Sequence, residues 1–197
     1  MAIFSSKKAE PTTPIAQLKS GKVTSPAEQS KLIREVLSDD GTKVKDVAWA
    51  LGSPRPNLRR MAVELIKKQG GSDPSKLLIA QFSDRSEAEQ KNVIQSITEF
   101  DGDVIQAIID WLRSSDNRRN RSLLAYLIKQ APLTKIKEVL AELVNAGSGE
   151  LRVTAIARLR EEPAMLRSIG LGAEAIAAMW TATPTICARP ATSWPPA

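Results

Sequence analysis

The sequence predicts an all-α fold: a right-handed α-solenoid of about four helical hairpins preceded by an N-terminal capping helix. Three observations lead there. Apolar residues recur in matched columns at a step of 30 to 32 residues. Within each unit they stand at i, i+1 and i+4, one face of a helix. Polar turns rich in Ser, Asn, Gly and Pro, which break helices for separate steric and hydrogen-bonding reasons, separate the units. An amphipathic hairpin cannot bury its face alone, so such units come in stacks.

The first element expected is an isolated helix near residue 26. Ser25-Pro26-Ala27-Glu28 has the form of a capping box with Pro at the first helical position, and Leu32, Ile33 and Val36 form its apolar face. Four pairs of helices, A then B, follow. The A helices carry Val47, Ala48 and Leu51; Leu78, Ile79 and Phe82; Ile108, Ile109 and Leu112; and Val139, Leu140 and Leu143. The B helices carry Ala62, Val63 and Ile66; Val93, Ile94 and Ile97; Leu123, Leu124 and Leu127; and Ala155, Ile156 and Leu159. Between A and B lie Ser53–Asn57, Ser83–Ser86, Ser114–Asn117 and Asn145–Gly149. Ser86 and Glu89 have capping-box spacing.

These units resemble the HEAT-like repeat family in its short bacterial form. The segments that carry the resemblance are VAWALGSPRPNLRRMAVELI, IAQFSDRSEAEQKNVIQSI, IIDWLRSSDNRRNRSLLAYLI and LAELVNAGSGELRVTAIARL, within residues 44–162. The resemblance implies a solenoid whose B helices line the concave side. It also implies a turn Asp and an early helix-B Arg that form a ladder between repeats. The matching basic column is Arg60, Lys91, Arg121 and Arg152; turn acids stand at Asp84 and Asp116.

Charge and composition narrow the function. The chain has 28 basic and 22 acidic residues, a net charge of +6. Half of that excess sits in residues 1–25, which are expected to be a mobile basic tail; residues 26–178, the expected solenoid, hold 23 basic and 21 acidic groups. Segments 57–68, 113–129 and 150–160 are positive, but 86–99 is negative, which interrupts the continuous stripe a phosphate backbone would track. There is no His and a single Cys, Cys187, so His triads, CxxC zinc sites and disulfide frameworks are excluded. No phosphate-binding Gly-rich loop or nucleophile elbow occurs. Asp101 and Asp103 are expected to make an acidic inter-helix turn at the N-terminus of the next helix rather than a cation loop. No cofactor, metal or catalytic residue is expected, and no run is long and apolar enough to span a membrane.

The C-terminal residues 179–197 read as an irregular Pro/Trp tail. Read from the last base of the Met179 codon, the genetic code permits a repeat-like sequence such as VDGDPDDLR. Residues 180–197 are therefore either an out-of-frame tail on a longer solenoid or a genuine Pro/Trp docking peptide.

The function expected is that of a cytoplasmic, non-catalytic protein-binding scaffold or adaptor. The helix-B surface would meet a protein partner with an acidic surface through Arg59, Arg60, Lys91, Arg118, Arg119, Arg121 and Arg152. The alternative is a DNA-binding HEAT-like protein of the alkylpurine DNA glycosylase type, to which Trp111–Arg121 is similar. At the level of the repeat alone the chain also resembles the bilin lyases.

Overall fold

The computed structural model describes residues 13–69, 73–83, 85–114, 117–145 and 149–162. All regular structure among them is helical. The chain divides into two compact units, residues 1–136 and 137–197.

Helix α1 (Pro14–Ser20) falls inside the stretch expected to be a tail, which corrects that expectation for residues 14–20. Residues of the Ser/Thr/Lys/Pro-rich stretch supply its start, and Gly21 its end. Thr13 Oγ1 accepts from the Ala16 N–H at 3.2 Å, and Pro14 opens the first turn. Gly21, at φ 71°, closes the helix in the left-handed region open to glycine. Only Leu18 is buried, so no apolar period betrays the helix.

Helix α2 (Pro26–Ser38) starts where the sequence places it, with Leu32 and Val36 buried. The Ser25 capping box does not form, because the Ser25 hydroxyl makes no cap bond. Gln29 Nε2 instead ties the entry by donating to Val23 O at 2.8 Å.

The first A helix is split into α3 (Val44–Val47) and a 3-10 turn (Ala48–Gly52). Ser53 N–H donates to Ala50 O at 3.0 Å, an i−3 step that removes Trp49 O's α-helical partner. Val47, Ala48 and Leu51 are buried all the same.

The remaining elements follow the expected order. They are α4 (Pro56–Gln69), α5 (Pro74–Ala80), α6 (Glu87–Ile97), α7 (Gly102–Ser114) and α8 (Arg118–Gln130), then α9 (Leu133–Asn145) and α10 (Gly149–Arg160). Side-chain caps set several starts: Asp73 on α5, Ser86 with Glu89 on α6, and Asn117 on α8. Asp103 lies in the first turn of α7, where a negative charge favours the exposed N–H groups.

In the first unit the B-type helices neighbour one another in chain order: α2 packs on α4, α4 on α6 and α6 on α8. The A-type α5 packs on α7, α7 on α8, and the 3-10 turn on both α4 and α6. In the second unit, Val139, Leu140, Leu143 and Val144 of α9 and Ala155 and Leu159 of α10 are buried. Every apolar column position read from the sequence is buried except Ile33, Ile79 and Ile156, which are half-buried. Truncating one of these buried leucines or isoleucines to Ala costs about 2–5 kcal/mol, so the columns dominate stability.

The turn acids Asp84 and Asp116, the stretch Met165–Met179, the Pro/Trp tail and Cys187 lie outside the described residues. No helix among the described residues is long and apolar enough to cross a membrane.

Candidate interaction surface on helices α4, α6 and α8

Each B helix begins with a polar turn, so its early basic residues lie beside the preceding repeat. Part of that charge is spent inside the protein. Arg59, on the first turn of α4, is half-buried. Its Nη1 donates to Ser53 O at 2.8 Å and its Nη2 to Gln95 Oε1 on α6 at 2.9 Å. Gln95 Nε2 in turn donates to Tyr126 Oη on α8 at 2.9 Å. Burial pulls the Arg59 guanidinium below the ordinary arginine value, with Tyr126 and Glu99 opposing; an arginine remains charged there. Arg59 is therefore an inter-helix tie before it is a partner contact.

The other predicted residues divide by exposure. Arg60, Arg118, Arg119 and Arg121 are exposed on unit one, and Arg152 is exposed on α10 in unit two. Lys91 is half-buried and paired within its own helix to Glu87 at 2.7 Å. That bond raises the Lys91 ammonium and lowers the Glu87 carboxyl, and Arg119 adds a smaller pull on Glu87.

Arg119 is held on one side only. Its Nε donates to Gln90 Oε1 at 2.8 Å and its Nη2 to Arg85 O at 2.7 Å, while Gln90 Nε2 donates to Phe82 O at 2.6 Å. A guanidinium has five N–H donors, so three remain to face outward. Arg118 beside it is exposed and has no hydrogen bond or ion pair among the described residues. The two arginines line a depression of about 650 Å³ together with Glu87, Ser122 and Leu123. A second depression of about 360 Å³ adjoins it and shares Arg119 and Leu123. Its apolar wall is Phe82 and Trp111, whose ring centroids are 5.2 Å apart at 40°.

The residues that join neighbouring repeats were not among those expected to matter. Arg85 donates to Ala48 O at 3.1 Å, to Trp49 O at 3.3 Å and to Gln81 Oε1 at 2.6 Å. Asn92 Nδ2 reaches Gly52 O, and Ser96 Oγ reaches Leu51 O, both at 3.1 Å. At the other end of the helices, Lys67 donates to Glu99 O, and Lys135 to Phe100 O, both at 2.6 Å. Cations at carbonyl-rich helix ends also complement the helix dipole. One signal in the sequence pointed this way: Arg55 and Arg85 stand one repeat step apart, and Arg55 Nη2 lies 3.5 Å from Gly21 O.

Trp111 and Asp110 serve the fold on α7. Trp111 packs on Phe82, and Asp110 Oδ1 accepts from Gln106 Nε2 at 2.9 Å. Among the described residues there is no group of three or more carboxylates or thiols placed to hold a metal ion. Comparison with known protein families, with curated proteins and with solved structures finds no match to this chain.

Proposed function

We propose that this protein is a non-catalytic adaptor: a HEAT-like α-solenoid whose B-helix surface captures a protein partner with an acidic face. The chain-order packing of α2, α4, α6 and α8 in the first unit supports the solenoid reading. The observation that carries the functional reading is the side-by-side exposure of Arg118 and Arg119 at the start of α8, beside a depression that Glu87 bounds on α6. Exposed charges of this kind set encounter rate and partner choice more than they set stability. The pairing of Lys91 with Glu87 favours a protein over duplex DNA, because it interrupts positive charge between α4 and α8.

The test is partner capture from the native host with the full chain and with the double variant Arg118→Glu/Arg119→Glu. Weaker capture with an unchanged far-ultraviolet circular dichroism spectrum supports the adaptor. Undiminished capture removes this surface from the interaction. Tight, salt-sensitive retardation of duplex DNA with release of alkylated bases would replace the adaptor with a glycosylase.

A further inference from the structure

Asn120 is 9% exposed, and its carboxamide makes no hydrogen bond among the described residues, although its backbone N–H is taken by Asn117 Oδ1 at 2.7 Å. The side chain is mostly covered, but its carboxamide atoms are not among the buried unsatisfied ones, so they reach solvent in the depression. This one lines the 360 Å³ depression beside the Phe82–Trp111 wall and Arg119. The Gln90 amide in the same wall is satisfied on both sides, by Arg119 and by Phe82 O. Three complementary elements thus meet at one place. The Asn120 amide has donor and acceptor unused, half-buried Trp111 is reachable with buried Phe82 behind it, and Arg119 stands at the rim with Arg118 in the adjoining depression.

We propose that this depression is a peptide-binding groove for a short extended segment in which acidic residues adjoin a large apolar one. The inference rests on the adaptor reading and specifies the chemistry of its partner. The apolar side chain packs against Trp111, which buried Phe82 backs, and removes its apolar surface from water. The acidic residues meet Arg118 and the outward N–H groups of Arg119; carboxylate–guanidinium bonds are the strong, directional ones. The Asn120 carboxamide bonds the peptide backbone, accepting from one N–H and donating to one C=O. A volume near 360 Å³ falls within the usual range for small binding sites, so it suits one large side chain with its flanking peptide units. Glu87 in the adjoining depression opposes any anion; a nucleic acid strand brings a phosphate at every step, whereas a peptide can place one or two carboxylates at the arginines and an apolar side chain elsewhere.

The probe is an array of capped tetrapeptides, each combining two of Asp or Glu with two of Leu, Ile, Met, Phe or Trp. All-acidic and all-apolar spots and immobilised oligothymidylate serve as comparators. The full chain is expected to be retained on mixed acidic–apolar spots and at least tenfold less on the comparators. Arg118→Glu should reduce that retention about tenfold or more with unchanged thermal unfolding, because Arg118 is exposed and makes no hydrogen bond or ion pair among the described residues. Asn120→Ala should reduce it about fivefold at a temperature where circular dichroism shows the variant folded. Retention confined to oligothymidylate, no preference for mixed spots, or equal retention by the variants overturns the groove. If the array fails while Arg118→Glu/Arg119→Glu still weakens capture from the host, the groove falls and the adaptor stands. If the array succeeds while capture is unchanged, the groove stands and the adaptor surface falls.

Discussion

Arg59 on α4 and Gln95 on α6 are joined by a 2.9 Å hydrogen bond from Nη2 to Oε1, across a gap of 36 residues in sequence. The bond spans two successive repeats, and Gln95 passes it on to Tyr126 of the third. A hydrogen bond to a charged group contributes about 1.5–3 kcal/mol when buried. Arg59 is only half-buried, so solvent screening reduces that figure. A double-mutant cycle of Arg59→Ala and Gln95→Ala, followed by urea unfolding, should return a coupling of about 1 kcal/mol. Arg59→Lys should not restore it, because one ammonium cannot serve Ser53 O and Gln95 Oε1 with the fixed geometry of a guanidinium. A coupling near zero would make the bond incidental.

Arg60 stands next in sequence and differs in every respect that matters. It is exposed, whereas Arg59 is tied. Arg60→Glu should therefore shift stability by no more than about 0.5 kcal/mol, as exposed substitutions do. It should slow association with an acidic partner, most visibly at low salt, where the Debye length is longer. Surface plasmon resonance across a salt series separates these effects. An association rate unchanged by Arg60→Glu at low salt would place the partner elsewhere.

The start of α6 makes a pH prediction. Ser86 Oγ and Glu89 close a capping box, with Ser86 N–H donating to Glu89 Oε2 at 3.0 Å. Hydrogen bonds from Ser86 hold the Glu89 carboxyl below its ordinary 4.5, and Lys91 does the same for Glu87. Carboxyls lowered in the folded state add stability above their unfolded value and lose it as pH falls through the folded one. Lys91, raised above 10.5 by Glu87, adds stability below that value and loses it as pH climbs through the folded one. The α6 entry should be firmest between these limits. Ser86→Ala should cost about 1 kcal/mol at neutral pH. The cost should shrink as pH drops below the glutamate range, because the carboxylate half of the box is then already weakened, leaving only the Glu89 N–H bond to Ser86 Oγ. A cost independent of pH in thermal melts would deny Glu89 its part.

The sequence makes the helical layers legible because burial follows periodicity, and periodicity survives in single residues. Val47, Leu78, Ile108 and Val139 keep their column even where the first A helix breaks into a 3-10 turn. Helix α1 escapes because seven residues with one buried leucine have no period to read. The surface is less legible. Charge counting gives Arg59 and Arg60 the same weight, and only the cross-repeat geometry separates a tie from a free cation. The basic column read from the sequence does not announce which cation joins two helices. Lys91, in the expected column, pairs with Glu87 one turn earlier, while Arg85 in the turn before α6 reaches back to main-chain carbonyls. Carbonyls have no sequence signature, so residue type alone cannot announce that partner.

Gly52 and Arg85 give the sharpest test of that main-chain tie. A Cβ built on Gly52 would overlap Arg85 Nη1 and press on Cζ at 3.0 Å, while Glu89 Cβ at 3.4 Å is in ordinary contact. The glycine backbone is not in the left-handed region, so alanine fits the chain conformation itself. The obstacle is the guanidinium alone. Arg85 is partly buried, and desolvation pulls it below the ordinary arginine value, so its bonds to Ala48 O and Trp49 O are worth keeping. Gly52→Ala must move the guanidinium tip, the mobile end of a flexible side chain, so the cost is that of the lost carbonyl bonds, about 1 kcal/mol after screening. In an Arg85→Ala background the obstacle is gone. There the same substitution should become neutral, or stabilise by about 0.5 kcal/mol through the lower backbone entropy of alanine in the unfolded chain. Urea unfolding of the two single variants and the double variant reads both numbers. A penalty that persists without Arg85 would show that space at Gly52 is kept for the backbone and not for the arginine.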